Sequence, residues 1–426
     1  MLGPVTTREH GNDTASDVVG SSGTAARRQR WLLVGAIVLV AANLRTLMAS
    51  LPPLAEAVRA DLGLSSAWMG VLTTVPVLCM GLLAPPANQV ARRVGTTAAI
   101  GAGVGLVLAG LVLRAAGGGA VWSLYAGTFV AGTGIALAGT LLPGIVKEVF
   151  PARRAGLGTG LTMAAMMGLA AVASAASVPL AHALGGWSHS LLVWAPLAAL
   201  ALVAWVPASR VLHRSAVEEL PVDVSHALPW ASATAWLVAV YLTCQSWQFY
   251  SALAWLAPTY ESHGWTAREA GLLMAAFTGA QLVSGLAAPT LLDRVPDARV
   301  LLVLAGVLGG AGEVGVWLAP DAAPWLWAGL LGAGQGAAFA LGLALLVRYA
   351  VTPRDSARFT AMAFLVSYTI AAFGPAAMGV VEDVTGSFSP IWALLALVMV
   401  PQLVVSLRLH PGLARVGAGP SGIDAG

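Results

Sequence analysis

The chain is 426 residues long, 58% hydrophobic and only 10% charged, with a formal net charge of +3. Soluble domains carry about 25% charged residues, so a water-soluble globular protein is excluded. The small, scattered positive charge offers no basic surface for nucleic acid, and the composition is that of a polytopic membrane protein.

In chain order, residues 1–30 are rich in Gly, Ser, Thr and Asp and read as a disordered tail without a signal peptide. The first apolar run, about 31–53, exceeds the roughly 20 residues a helix needs to cross a bilayer. It contains "AANLRTLMASLPP" (41–53) and so places Arg45 well inside the span. A cation at that depth costs roughly 2.5–3.5 kcal/mol on insertion scales, and some group has to compensate for it. Further runs lie at about 68–90, 96–115, 121–146, 156–180 and 187–207, then a polar stretch at 209–226. Six more follow at about 230–256, 267–292, 298–318, 324–347, 358–380 and 388–408. All are expected to be helical, because lipid offers no partner to an unpaired backbone group. Cys79 and Cys244 fall in apolar runs without metal spacing and read as small core residues.

Twelve spans put both termini on one side. With that side inside, the inner segments hold 18 of the 22 basic residues, the outer ones three (Arg59, Arg114, Arg268), and Arg45 lies in a span. This is the positive-inside bias, and it predicts a multi-pass protein of the cytoplasmic membrane with both ends cytoplasmic. The expected organisation is a tail (1–30), a six-helix half (31–207), a cytoplasmic linker (208–229), a second six-helix half (230–408) and a cytoplasmic tail (409–426).

The halves repeat each other. "LSSAWMGVL" (64–72) aligns with "WTAREAGLL" (265–273), "GLLAP" (81–85) with "GLAAP" (285–289), "GTGIALA" (132–138) with "GAGQGAA" (332–338), and "PARRAG" (151–156) with "PRDSAR" (353–358). All four offsets lie between 200 and 204 residues, in order, as in a parallel duplication. Thr266 and Glu269 form a capping box at the start of the eighth span, and Ser65 or Ser66 can cap the second. The small-residue runs allow close helix approach in lipid.

Twelve spans in two parallel halves around a polar loop resemble the major facilitator superfamily: an all-α membrane protein of two six-helix bundles. The basic loops after spans two and eight, "NQVARRVG" (88–95) and "LLDRVPDAR" (291–299), stand where that family keeps its gating motif. The first lacks the motif's aspartate and keeps Arg92 and Arg93; the second keeps Asp293 and Arg294. "NLRTLMASLPPLAEAVRADLGLS", "LLPGIVKEVFPARRAGLGTGL" (141–161) and "QSWQFYSALAWLAPTY" (245–260) resemble the cyanate and 2-nitroimidazole permease branch. The resemblance implies that spans 1, 4, 7 and 10 line a central cavity, where the candidate contacts are Asn43, Arg45, Thr140, Tyr241, Gln245, Gln248, Tyr250 and Gln335, with Tyr368 from span 11. Asn43 and Arg45 are about 200° apart on one helix and cannot face one spot. Tyr241, Gln245 and Gln248 share a face.

Arginine is always charged and presents a fork of donors suited to anions. No Asp or Glu lies at membrane depth in the cavity helices; Glu313 in span 9 is the one intramembrane carboxylate and the candidate proton carrier, the alternative being a weak-acid solute that carries the proton itself. These residues point to a secondary transporter of a small anionic or polar solute. The alternative is efflux of a neutral antibiotic or metabolite past Met163, Met166 and Met167. An intramembrane enzyme would need a nucleophile–base pair or a metal motif, and an ATP-driven pump a P-loop; the sequence carries none of them. No cofactor or metal is expected, and the partners are the solute, lipid and a coupled proton, with the chain acting as a monomer.

Overall fold

The computed structural model describes residues 13–116, 120–150, 155–215, 228–292 and 294–417. Residues 1–12, the 153–154 arginine pair, most of the linker (216–227), the gating candidate Asp293 and residues 418–426 lie outside the described residues. The first half comprises α1 (Asp13–Ala49), a 3-10 turn (Pro52–Leu54), α2 (Ala55–Leu62), α3 (Ser66–Val94), α4 (Thr96–Ala116), α5 (Val121–Val149), α6 (Ala155–Leu184), α7 (Trp187–Leu192) and α8 (Ala195–Ser215). The second half comprises α9 (Ala233–Ser262), α10 (Ala267–Leu292), α11 (Ala298–Leu318), α12 (Pro324–Arg348), α13 (Pro353–Ala371), α14 (Phe373–Thr385) and α15 (Ser389–Arg408). Among the described residues there is no strand, only one isolated bridge between Ala350 and Val416.

Eleven helical segments of the described chain are long and apolar enough to cross a membrane. Helix α9 is as long as the others, at 30 residues, but more polar. Most of Thr234–Tyr260 is buried by protein, with Trp236 and Val240 left exposed on one face, and a helix largely shielded by its neighbours has little need of an apolar surface. It is the twelfth span, held in the middle of the molecule.

Local chemistry sets the helix ends. Ser65 accepts from the Trp68 backbone N–H at the start of α3. The capping box before α10 forms, with the Thr266 N–H donating to Glu269 Oε2 at 2.9 Å and the Glu269 N–H to Thr266 Oγ1 at 3.3 Å. Prolines divide two of the expected continuous spans. Pro196 cannot donate to the carbonyl a turn before it, and the sixth span splits into α7 and α8; Pro375 has the same effect at Ala372, between α13 and α14.

Three further expectations are corrected. Helix α1 already begins at Asp13, inside the stretch read as a disordered tail, because Ala25, Ala26 and the Arg and Gln residues that follow are good helix formers continuous with the span. Residues 409–417, read as tail, fold back on the second half: the Val416 N–H donates to the Tyr349 carbonyl at 2.7 Å and Tyr349 Oη to the His410 carbonyl at 3.0 Å. Arg114, assigned to an outer loop, is buried in α4 and its Nη1 donates to the Leu47 carbonyl at 3.4 Å. Helix α1 stops at Ala49 inside the protein, so its last carbonyls lack intrahelical partners, and a cation answers them and the helix dipole.

Helix α4 packs along α5, and α11 along α12, the equivalent pair in the repeat. The halves meet along two seams, α6 against α10 and α3 against α13 and α14. In six-plus-six numbering these are spans 5 with 8 and 2 with 11, and the repeat exchanges one for the other.

Association of helices in lipid relies on close packing, since lipid tails are as apolar as the side chains. At the α11–α12 crossing a Cβ on Gly334 would collide with the Gly309 backbone. Gly334→Val is therefore expected to cost about 1–3 kcal/mol by overpacking. It should lower the thermal unfolding midpoint of the purified protein in detergent, whereas Gly329→Val, with open space at its Cβ, should not.

Candidate functional site

A cavity of about 450 Å³ lies between the halves. Its mouth is formed by Thr159 and Gly160 of α6, Pro289 and Thr290 of α10, and Leu343 and Ala344 of α12, near the helix ends that carry the basic connections. Its deep end reaches Arg45, Phe249, Tyr250 and Tyr368. Most of the wall is apolar, with Met163 and Met167 among its residues, and no carboxylate lines it.

Arg45 is half-buried at the cavity wall. Its guanidinium carbon stands 4.9 Å from the centre of the Phe249 ring and 6.0 Å from that of Tyr250. Among the described residues no hydrogen bond or ion pair joins its side chain. Tyr250 packs edge-on to Tyr368 at 6.2 Å, so the cation sits beside an aromatic cluster drawn from α9 and α13.

The glutamines are occupied with one another. Gln245 Nε2 donates to Gln335 Oε1 at 3.1 Å, Gln335 Nε2 to Gln248 Oε1 at 3.3 Å, and Gln248 Nε2 to Gln402 Oε1 at 2.8 Å. Ser246 Oγ donates to Gln245 Oε1 at 3.3 Å. The chain of amides ties α9 to α12 and α15. Gln245 and Gln335 also show at the cavity wall; Gln248 does not, being fully buried.

Arg45, Gln245, Tyr250, Gln335 and Tyr368 thus come together at the cavity, and four other candidates do not. Asn43 donates to the Leu39 and Leu197 carbonyls, on the α8 side of α1. Thr140 donates to the Ala136 carbonyl within α5. Tyr241 is buried and donates to the Ala338 carbonyl at 3.2 Å. Gln248 belongs to the amide chain. Asn43, Tyr241 and Gln248 meet a neighbouring helix instead of open space, and Thr140 is satisfied within its own. Met166 likewise stays off the cavity wall. Glu313 is 0% exposed, its carboxylate oxygens have no hydrogen-bond donor, and it does not line the cavity. Arg92, Arg93 and Arg294 are exposed at the open end. Near them Arg299 Nη2 pairs with Asp297 at 2.6 Å, and the Arg299 side chain and backbone N–H together hold that carboxyl below its ordinary range.

The sequence reading missed Gln281 of α10, which lines the cavity. It is the one amide side chain in the eighth apolar run, a signal present but not used.

At the opposite end α3 and α14 tie the halves together. The Ser66 and Ala67 N–H groups, in the first turn of α3, donate to the two carboxylate oxygens of Asp383 on α14 at 2.7 and 2.8 Å. Arg59 Nη1 donates to Ser66 Oγ at 2.6 Å and lies 3.5 Å from Glu382. A Cβ on Gly379 would strike the Ser66 carbonyl, so only glycine lets α14 approach α3 this closely.

Comparison with known proteins agrees with this architecture. A family model described as Major Facilitator Superfamily matches residues 33–375. The chain is 34% identical over 366 residues to the 2-nitroimidazole transporter of Escherichia coli K12, covering 85% of this chain and 91% of that one. It is 30% identical over 385 residues to the cyanate transport protein CynX of the same organism, covering 88% and 96%. Among solved structures, a bacterial homolog of the human lysosomal transporter Spinster, in an inward-facing and unoccupied conformation, superposes with a TM-score of 0.65 at 16% identity, covering 89% and 95%. At that identity the likeness speaks for the fold.

The amide chain has a measurable consequence. Gln248→Leu strands the Gln335 Nε2 donor and the Gln402 Oε1 acceptor in the interior, and each buried unmet group costs about 1–3 kcal/mol. A marked fall in the unfolding midpoint is expected, larger than that of Ser246→Ala, which strands one acceptor, Gln245 Oε1, in place of two groups.

Proposed function

The chain belongs to the major facilitator superfamily and is a membrane transporter of that family, and from this premise we propose that it carries a small anionic or polar solute through the cavity beside Arg45 by alternating access. The observation that carries the reading is the uncompensated cation. A guanidinium over an aromatic face gains about 0.5–2 kcal/mol, against roughly 2.5–3.5 kcal/mol for placing it at membrane depth. The remainder is met when an anion or an electron-rich group enters the cavity, where the low dielectric strengthens the attraction. The absence of any lining carboxylate disfavours cationic solutes. Relatives that carry cyanate and 2-nitroimidazole support a solute of that class, compact and either anionic or bearing a polar nitro group.

The transport cycle follows from the two ends of the molecule. Topology by the positive-inside rule makes the open mouth cytoplasmic and the Asp383 seal external, with the protein in the cytoplasmic membrane and both termini inside. Opening outward requires the Asp383–α3 hydrogen bonds to break and the basic loops at Arg92, Arg93, Asp293 and Arg294 to close the mouth. Contacts along two seams that the repeat exchanges let one half rock against the other about a fixed site. Within this reading Glu313 is the candidate carrier of a coupled proton.

Two measurements test the reading. In proteoliposomes loaded for uptake of cyanate and of 2-nitroimidazole, Arg45→Ala is expected to abolish transport of at least one of them while the protein keeps its unfolding midpoint. Normal transport of both by the variant would make the arginine structural and bring the neutral-efflux reading forward. For the seal, a single cysteine at Thr73, buried on α3, is placed in a background with Cys79 and Cys244 replaced by serine. Asp383→Ala removes two charge-assisted hydrogen bonds, each worth about 1.5–3 kcal/mol. External labelling of the cysteine by an impermeant maleimide should then be at least about tenfold faster; an unchanged rate would remove Asp383 from the gate.

A further inference from the structure

We propose that the side-chain amide of Gln281 is a second solute contact, which selects molecules bearing a hydrogen-bond acceptor in addition to the group held by Arg45. The inference deepens the transport reading above and rests on it. Its starting point is the distinction between polar groups that are already occupied and those that are not. Gln245 and Gln335 look like solute ligands in the sequence, but their amides bond each other and Gln248. Gln281 faces the same cavity, is only 6% exposed, and its Nε2 has no hydrogen-bond partner. A buried donor with no acceptor is costly to maintain; Nε2 itself has almost no exposed surface, so a turn of the side chain on the cavity wall is what brings it to an acceptor that enters the cavity.

Position sets the kind of solute. The Phe249 ring lies under the Arg45 guanidinium and stacks on Phe277 of α10, with centroids 6.3 Å apart and planes at 17°. Gln281 follows Phe277 by four residues, so it stands on the same face about one turn, about 6 Å, nearer the mouth. At the level of Gln281 the α10 backbone rests directly on α12, where a Cβ on Gly336 would collide with the Gln281 carbonyl. The amide is therefore mounted on two helices in close contact, and its position is fixed relative to Gln335. A solute that meets both Arg45 and Gln281 has an anionic or electron-rich end at Arg45, a flat body against the aromatic cluster, and an acceptor at Gln281.

The test compares two probes of the same shape, 2-nitroimidazole and 2-nitropyrrole, which share the nitro group and differ in the ring acceptor nitrogen. Uptake into proteoliposomes is measured for wild type, Gln281→Leu and Gln281→Met. In wild type 2-nitroimidazole should have a KM about tenfold lower than 2-nitropyrrole, a difference of about 1.4 kcal/mol. In both variants the ratio should fall to about one through a higher KM for 2-nitroimidazole alone, with 2-nitropyrrole uptake and the unfolding midpoint unchanged. An unchanged ratio, or equal loss of both probes with a lower midpoint, would overturn the assignment of Gln281 and leave the transport reading standing. If wild type carries neither probe, the nitroheterocycle class falls and this inference falls with it.

Discussion

A polar group at membrane depth has to be answered from within the protein, and helix α9 concentrates such groups. Its Gln245, Gln248 and Ser246, all buried, would be costly facing lipid. The fold therefore holds most of α9 away from lipid, surrounded by α10, α12, α13, α14 and α15, and the amide chain through Gln335 and Gln402 fixes its rotation. That rotation in turn decides which residues of α9 face the cavity. Phe249 and Tyr250 are presented to Arg45, and Gln248 and Tyr241 are turned into the packing. The site is thus a consequence of how the most polar span is accommodated.

Much of the fold was legible because the bilayer limits what a sequence can do. Length and apolarity of the runs, the basic bias of the loops and the offset of the repeat each reflect a separate physical demand, and they agreed. Arg45 was legible for the same reason, since a lone cation in a span has few explanations. The division of α13 from α14 was less so: Pro375 was visible, but a proline can kink a helix or end it, and the neighbours decide which. The glutamine face of α9 was read correctly as polar and inward, yet periodicity cannot tell whether an inward amide meets a cavity or another amide. That depends on Gln335 and Gln402, which are 90 and 154 positions from Gln245 and Gln248 respectively. Gln281 was overlooked because a single amide among Ala, Leu and Gly gives no pattern, and its significance lies in the partner it lacks.

The seal at the closed end shows the repeat put to asymmetric use. The two seams between the halves are equivalent in the duplication, but they are chemically different. At the α3–α14 seam a carboxylate from one half caps the first turn of a helix from the other, so the helix's free N–H groups and dipole hold the halves together. Gly379 permits the approach and Arg59 bridges to the neighbouring Glu382. At the α6–α10 seam Gly271 rests against the Ser174 carbonyl and Pro53 without any ion pair among the described residues. A contact made of a few directional bonds on one side and of small-residue packing on the other can open at one and pivot on the other.

The same asymmetry explains two buried charges that sequence periodicity treats alike. Arg114 of α4 and Glu313 of α11 lie 199 positions apart, close to the repeat offset, in the third span of each half. In the first half the leading helix ends inside the protein at Ala49, before Pro52 and Pro53, and exposes its last carbonyls. Arg114 and Ser174 donate to two of them, those of Leu47 and Ala49, and a cation is the right sign for that end of a helix. In the second half the leading helix, α9, runs unbroken from Ala233 to Ser262, so the equivalent level has no orphan carbonyl and no use for a cation. The acid that stands there meets no donor. Arg114 is accounted for by the end of a helix, whereas no donor among the described residues answers the Glu313 carboxylate.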